Sequence, residues 1–373
     1  MESRPQLNRC PNLIRRLAEQ GLGAMLITSE HNRRYLSGFS GSNGWLVVSP
    51  DHRLLITDGR YWTQVGDQAP EWELFRFTSE AHQRLSLALA QWLKEHPLEG
   101  PIGYEADHLT CLEFSRLETD LAGCELKAVS GVVEGLRAVK DQLELEAMRA
   151  TAAAADRAFA TALQTFQVGV RERDFCAELE YQMQREGARK PSFDSIVASG
   201  PNGAYPHAGV TDRVIGPGEL VTVDFGAYLD GYASDITRTI WVGEPDDLSR
   251  RVYAVVRQAQ RLALEGVRAG RTAAELDQLA RGYIEKEGFG EAFMHSLGHG
   301  IGLAVHESPT LRSTVDTVLE EGMVVTIEPG VYLAGKTGCR VEDTVEITAD
   351  GCRFVTGSPY QELGQLHPLE AFT

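Results

Sequence analysis

Two stretches of the chain carry nearly the same alternation of apolar and polar residues: VTVDFGAYLDG from Val221 to Gly231, and VTIEPGVYLAG from Val325 to Gly335. Alternation with a period of two predicts strands, and each stretch sets an acidic residue, Asp224 or Glu328, at the same point. A break at Leu229-Asp230-Gly231 predicts that the first strand turns back as a hairpin, with Asp224 and Asp235 as directly opposed cross-strand partners. In the second copy a turn over Gly335-Lys336-Thr337-Gly338 returns the chain through CRVEDTVEI, so that Glu342 faces Glu328.

The echo extends beyond these strands. Ala162-Leu163 precedes Gly169, with an acidic helix start near Asp174 and then Gly187; Ala263-Leu264, Gly270, Glu275 and Gly288 follow in the same order. Gly218 and Gly322 precede the echoed strands. Each half reads as helix, glycine-punctuated turn, helix ending at glycine, then strands, which predicts an internal duplication of roughly a hundred residues. The half begins with a long Ala- and Leu-rich helix over Lys140 to Thr165, on which Leu143, Met148, Ala152, Ala155 and Phe159 form an apolar stripe. Upstream, helical patterns alternate with short apolar runs (GWLVVSP, RLLITDGRY, PIGYE), which predicts a layered α/β domain over residues 1–132 and a second domain over 133–373.

Composition narrows the function. The 373 residues are 43% hydrophobic, enough for two domains with sizeable cores, and the formal net charge of -17 argues against a nucleic-acid partner. The N-terminal MESRPQLNRCPNLIRR lacks the apolar stretch of a signal peptide, and no run approaches the roughly 20 apolar residues of a membrane span, so a cytoplasmic protein is expected. Six scattered cysteines form no CxxC pair and fit reduced thiols.

Two like charges on neighbouring strands are destabilising unless something neutralises them. Asp224, Asp235, Glu328 and Glu342 together carry more negative charge than one cation needs, and SLGHGIGLAVHE offers His299 among Gly298, Gly300 and Gly302, with His306 close behind. Hard oxygen ligands with one imidazole suit a pair of Mn, Co, Fe or Zn ions. Any one of these acids alone would be read as a solvated or salt-bridged side chain. Their repeated strand context favours the metal.

These residues resemble the M24 metallopeptidases, the pita-bread fold family, whose ordered Asp, Asp, His, Glu, Glu set is matched by Asp224, Asp235, His299, Glu328 and Glu342 in the contexts DFG, SDITRT, GHGIG, EPG and RVED. The resemblance covers the C-terminal domain, and RRYLSGFSGS with ITDGRY extends it to the creatinase-like N-terminal domain of the proline-directed branch. It implies a dinuclear-metal peptidase cleaving Xaa-Pro bonds, most simply an Xaa-Pro dipeptidase (prolidase) acting on proline-containing dipeptides, with manganese the leading metal and a homodimer the expected assembly. Within it, Asp235 and Glu342 would bridge two divalent metal ions, Asp224 would chelate one, His299 with Glu328 would complete the other, and Glu328 would pass the proton to the leaving nitrogen. His207 and His306 would contact the substrate carbonyl or the intermediate. Arg340 would hold a substrate carboxylate, the alternative being a structural ion pair with Asp230 or Glu346. Tyr232 has a weaker claim to substrate, since a packed strand aromatic is as good an account. An aminopeptidase acting on longer Xaa-Pro peptides is the main alternative function; a metal-free creatinase-like hydrolase and a non-catalytic binding protein would lack this intact ligand set.

Overall fold

The computed structural model describes residues 9–363, and the chain divides into two compact units, Met1–Arg137 and Ala138–Thr373. The first is a mixed sheet with helices. Its strands are β1 (Ala24–Ile27), β2 (Trp45–Val48), β3 (Arg53–Asp58), β4 (Glu73–Phe77), β5 (Ile102–Glu105) and β6 (Leu126–Val129). Its helices are α1 (Arg9–Glu19), α2 (Glu30–Ser37), α3 (Trp62–Gln68), α4 (Ser79–His82), α5 (Leu85–Glu95), α6 (Cys111–Asp120) and α7 (Glu134–Arg137). The sheet runs β4-β3-β2-β1-β5-β6, with β2 antiparallel to both its neighbours and the remaining pairs parallel. Leu26, Val47, Leu54, Ile56, Leu89, Trp92 and Leu117 form its core. Continuous apolar strands such as LLI and AMLI are what a sheet buried on both faces requires.

The second unit repeats itself, as the sequence predicts. Its first half comprises α8 (Gln142–Ala162), α9 (Glu172–Arg185), β7 (Lys190–Pro191), β8 (Ile196–Ser199), β9 (Val221–Phe225), β10 (Ala227–Leu229), β11 (Tyr232–Ala233) and β12 (Ile236–Ile240). The second comprises α10 (Asp247–Gly266), α11 (Ala273–Lys286), β13 (Gly298–Gly300), β14 (Glu307–Leu311), β15 (Val324–Ile327), β16 (Gly330–Leu333), β17 (Thr337–Arg340), β18 (Asp343–Ile347) and β19 (Cys352–Phe354). Capping boxes start α8 (Asp141 with Glu144) and α11 (Thr272 with Glu275), satisfying backbone N–H groups that the first helical turn leaves free. Each half packs its two helices on its own strands. Phe159, Phe175, Leu179, Val223 and Phe225 serve the first half; Val256, Leu276, Ile284, Val325 and Val345 serve the second. Gly218 and Gly322 enter β9 and β15 at φ +71° and +86°, a left-handed conformation that side chains resist. A Cβ at Gly218 would also lie 2.2 Å from the Glu244 carbonyl oxygen. No helix among the described residues is long and apolar enough to cross a membrane.

Candidate metal centre

The two hairpins deliver their carboxylates differently. In the first, Asp230 and Gly231 form a two-residue turn with φ of 49° and 89°, which sets Leu229 opposite Tyr232. That register continues to Asp224, whose partner is Thr237 rather than Asp235. The expectation of directly opposed Asp224 and Asp235 is therefore corrected: they are diagonal neighbours on one face of the ribbon. Asp235 falls in the gap between β11 and β12, where Gly226 crosses so closely that a Cβ there would sit 1.8 Å from the Ser234 carbonyl oxygen. In the second hairpin, Ile327 pairs with Asp343 and Gly330 with Arg340, a common register that sets Glu328 opposite Glu342. The turn there comprises Ala334, Gly335 and Lys336, with Thr337 and Gly338 already in β17.

The two hairpins join edge to edge at these acids. The Glu342 N–H donates to the Thr237 carbonyl (3.1 Å), the Thr237 hydroxyl donates to Glu342 Oε2 (2.7 Å), and the Thr344 hydroxyl donates to the Asp235 carbonyl (2.8 Å). Behind them the fully buried Arg238 donates to the Glu342 carbonyl (2.6 Å) and to Asp343 (2.8 Å).

His299 comes from β13, whose flanking glycines have a steric reason: a Cβ at Gly298 would lie 2.0 Å from the Thr326 carbonyl and one at Gly300 2.2 Å from that of Ser308. Its Nδ1 lies 3.0 Å from the Gly300 carbonyl, which can only accept, so Nδ1 carries the proton. The Nε2 lone pair then faces Glu328 Oε1 at 3.3 Å and Asp235 Oδ2 at 3.6 Å. Asp235, His299 and Glu342 present ligand atoms all within 4.8 Å of one another.

Burial, and the neighbouring carboxylates Asp224 and Glu328, push Asp235 well above the ordinary carboxylate range. Glu342 is raised by burial and by Asp235, Glu328 and Asp224. Glu328 rises to about 8, chiefly through burial, with Arg340 opposing and Asp224 adding to the shift. Burial lowers His299 and His306, keeping both imidazoles neutral. Asp224 Oδ1 and Glu342 Oε1 are buried without any hydrogen-bond partner. Buried carboxylate oxygens ordinarily have partners; two orphans in a cluster of acids beside a bare imidazole nitrogen are what a site for divalent cations requires. The residues fit the metal.

The remaining predicted residues are placed as follows. His207 and His306 are both exposed; the His306 ring stands 4.3 Å from that of His299 at 62°. Arg340 is buried. Its Nε donates to Thr237 (3.2 Å), Nη1 to the Pro206 carbonyl (3.1 Å) and Tyr332 (2.8 Å), and Nη2 to Asp224 Oδ2 (2.5 Å). Four of its five N–H groups are thereby directed at protein acceptors, and its ion-pair partner is Asp224, not Asp230 or Glu346. Glu346 pairs instead with Arg149 and Arg353. The Tyr232 hydroxyl donates to Glu144 at 3.1 Å, and its ring packs beside α8. Two residues went unsingled by sequence: Tyr332, whose hydroxyl accepts from Arg340 and meets His295 Nε2 at 2.9 Å, and His295 itself, lowered to about 4 mainly by burial and by Arg340. The signals available were the tyrosine shared by both echoed strands and a histidine in the run before GHG.

Comparison with known proteins agrees with this geometry. The family model Metallopeptidase family M24 matches residues 146–349, and Creatinase/Prolidase N-terminal domain matches residues 9–139. An Xaa-Pro dipeptidase of Pyrococcus furiosus is 36% identical over 93% of this chain and 97% of its own. A solved Xaa-Pro dipeptidase from Bacillus anthracis superposes with a TM-score of 0.92 at 40% identity, covering 96% of this chain and 99% of that one. The X-Pro aminopeptidase structure from Thermotoga maritima gives 0.86 at 35% identity over 95% and 99%. With acids, imidazole and fold in agreement, the chain belongs to metallopeptidase family M24.

Proposed function

We propose that this metal-dependent peptidase is an Xaa-Pro dipeptidase, with Asp224, Asp235, His299, Glu328 and Glu342 holding two divalent cations, manganese foremost among Mn, Co, Zn and Fe. The observation that carries it is the pair of buried, partnerless oxygens on Asp224 and Glu342 within a cluster of carboxylates. Relatives named Xaa-Pro dipeptidase that match nearly the whole chain support the substrate class.

When bound, the cations supply Lewis acidity toward the scissile carbonyl and a lowered pKa for water. The chain's own groups do the rest. The Glu328 carboxylate accepts a proton and passes it to the leaving proline nitrogen. The exposed imidazoles of His306, whose pKa burial lowers, and of His207 donate hydrogen bonds to the carbonyl oxygen as charge develops on it. Arg340 holds Asp224 in place, and its one uncommitted N–H is available to a substrate carboxylate; a two-bond grip on that carboxylate would have to displace a protein partner.

A second reading, an aminopeptidase on longer Xaa-Pro peptides, is favoured by the likeness to the Thermotoga maritima structure. Ala-Pro and Ala-Pro-Ala separate the two: the manganese-loaded enzyme should cleave the dipeptide and spare the tripeptide, and release of alanine from Ala-Pro-Ala at a comparable rate would replace the first reading with the second. A homodimer, which the family resemblance suggests, and a cytoplasmic location, expected from the sequence pattern, complete the proposal; sedimentation and fractionation check them.

A further inference from the structure

The His306 ring is aimed by backbone alone: among the described residues no hydrogen bond holds it, and its one ring neighbour is His299. Beneath that backbone lies a buried ion pair. His306 ends the segment 301–306 that links β13 to β14, across which the pairing slips, so that His299 lies opposite Thr310 but Gly300 opposite Glu307. Glu307 therefore resumes the ladder one residue after His306, and its side chain turns back under the segment. Oε1 accepts the Ala304 N–H at 2.9 Å, and Oε2 lies 3.5 Å from Lys140 Nζ. The two side chains are only 1% (Lys140) and 6% (Glu307) exposed. Lys140 Nζ also donates to the Ala138 carbonyl at 3.2 Å. Gly302 makes the arrangement possible, since a Cβ there would come within 2.8 Å of Glu307 Oε2. The Gly302 carbonyl in turn accepts from the Ala233 N–H (2.8 Å), next to the strand gap that holds Asp235.

We infer that Glu307, charge-paired with Lys140, is a positioning residue for His306: the pair sets the path of 301–306 and thereby the direction in which the imidazole meets the substrate carbonyl. The inference rests on the proposed role of His306. An ammonium and a carboxylate taken this far from water are costly to keep and costlier to separate. Replacing the Glu307 carboxylate by an amide keeps an acceptor for the Ala304 N–H but loses the attraction to Lys140 that holds the side chain beneath the segment.

The test is a double-mutant cycle on the manganese-loaded full chain with Ala-Pro as substrate. Glu307→Gln should lower kcat by about 10–100-fold, in the range found for groups that orient a metal site's working residues, with KM little changed and bound manganese retained. In a His306→Ala background the same substitution should cost less than about twofold, because the group it aims is gone. The neutral pair Lys140→Met with Glu307→Gln should recover most of the loss, and it carries the same cycle should Glu307→Gln fail to fold. If His306→Ala lowers kcat yet the Glu307 effect simply multiplies with it, the ion pair only props the fold and the inference falls alone. If His306→Ala keeps the parent kcat, the role of His306 falls and takes this inference with it.

Discussion

Replacing Glu342 by glutamine should move stability and metal binding in opposite directions. Glu342 is 1% exposed, with one oxygen on the Thr237 hydroxyl and the other unpartnered, and Asp235, Glu328 and Asp224 all disfavour its charge. Without metal the fold must keep this carboxyl protonated above its ordinary value of 4.5, at roughly 1.4 kcal/mol for each pH unit. The ceiling at pH 7 is thus about 3 kcal/mol. Glutamine has the same shape, needs no proton, still accepts from Thr237 and can donate to Asp235. Chelator-treated Glu342→Gln should therefore unfold a few degrees above chelator-treated parent at pH 7, at roughly 1–2 °C per kcal/mol for a chain of 373 residues. With manganese restored the order should invert: the parent gains stability by binding and the variant gains little, with calorimetric metal content and Ala-Pro hydrolysis lost in parallel. A metal-free variant less stable than metal-free parent at pH 7 would refute the claim that crowded acids are a native-state burden relieved by cations.

Other outcomes follow from the same geometry. Asp235→Asn, which neutralises a second acid at the junction of the hairpins, should abolish hydrolysis and reduce bound metal by elemental analysis; normal turnover would remove it from the ligand set. His306→Ala should retain its metal and lose about 10²–10³-fold in kcat, the scale of a lost oxyanion donor, whereas loss of metal would make it a ligand. Arg340→Lys cannot reach Thr237, Pro206, Tyr332 and Asp224 from one nitrogen, so metal affinity should drop as well as substrate binding; titration with manganese separates the two. For metal-free protein the stability contributed by Glu328 is fully present below 4.5, its ordinary value, and is lost as pH rises through about 8. Thermal unfolding with chelator should fall across that window, and a rise would reverse the assignment.

The chemistry was legible in the sequence because the hairpins repeat: Asp224 and Glu328 mark themselves by occupying the same place in echoed strands. The duplicated helices were legible for a similar reason, since their ends are set by glycines at matched points such as Gly187 and Gly288, both at positive φ. The register of the first hairpin was harder. It depends on the turn containing two residues, and a count that differs by one or two moves Asp235 along the ribbon. Partners across the hairpin junction were not legible at all. Arg340 reaches Asp224 from 116 positions away, and nothing in the local pattern separates that acid from Asp230 or Glu346. Lys140, one residue before a helix N-cap, reads as a solvated charge; only the packing around it shows that its side chain is 1% exposed.

The acids and the imidazole come from both repeats and meet only when Thr237 of one half lies against Glu342 of the other. Neither half alone can gather the set. Cation uptake is therefore a quality check on assembly: a chain whose halves have not docked offers no complete cage, stays at its least stable and remains open to proteases. The supply of divalent metal would then govern not only how fast each molecule turns over but how many molecules survive, and scarcity should appear first as a shortened protein half-life.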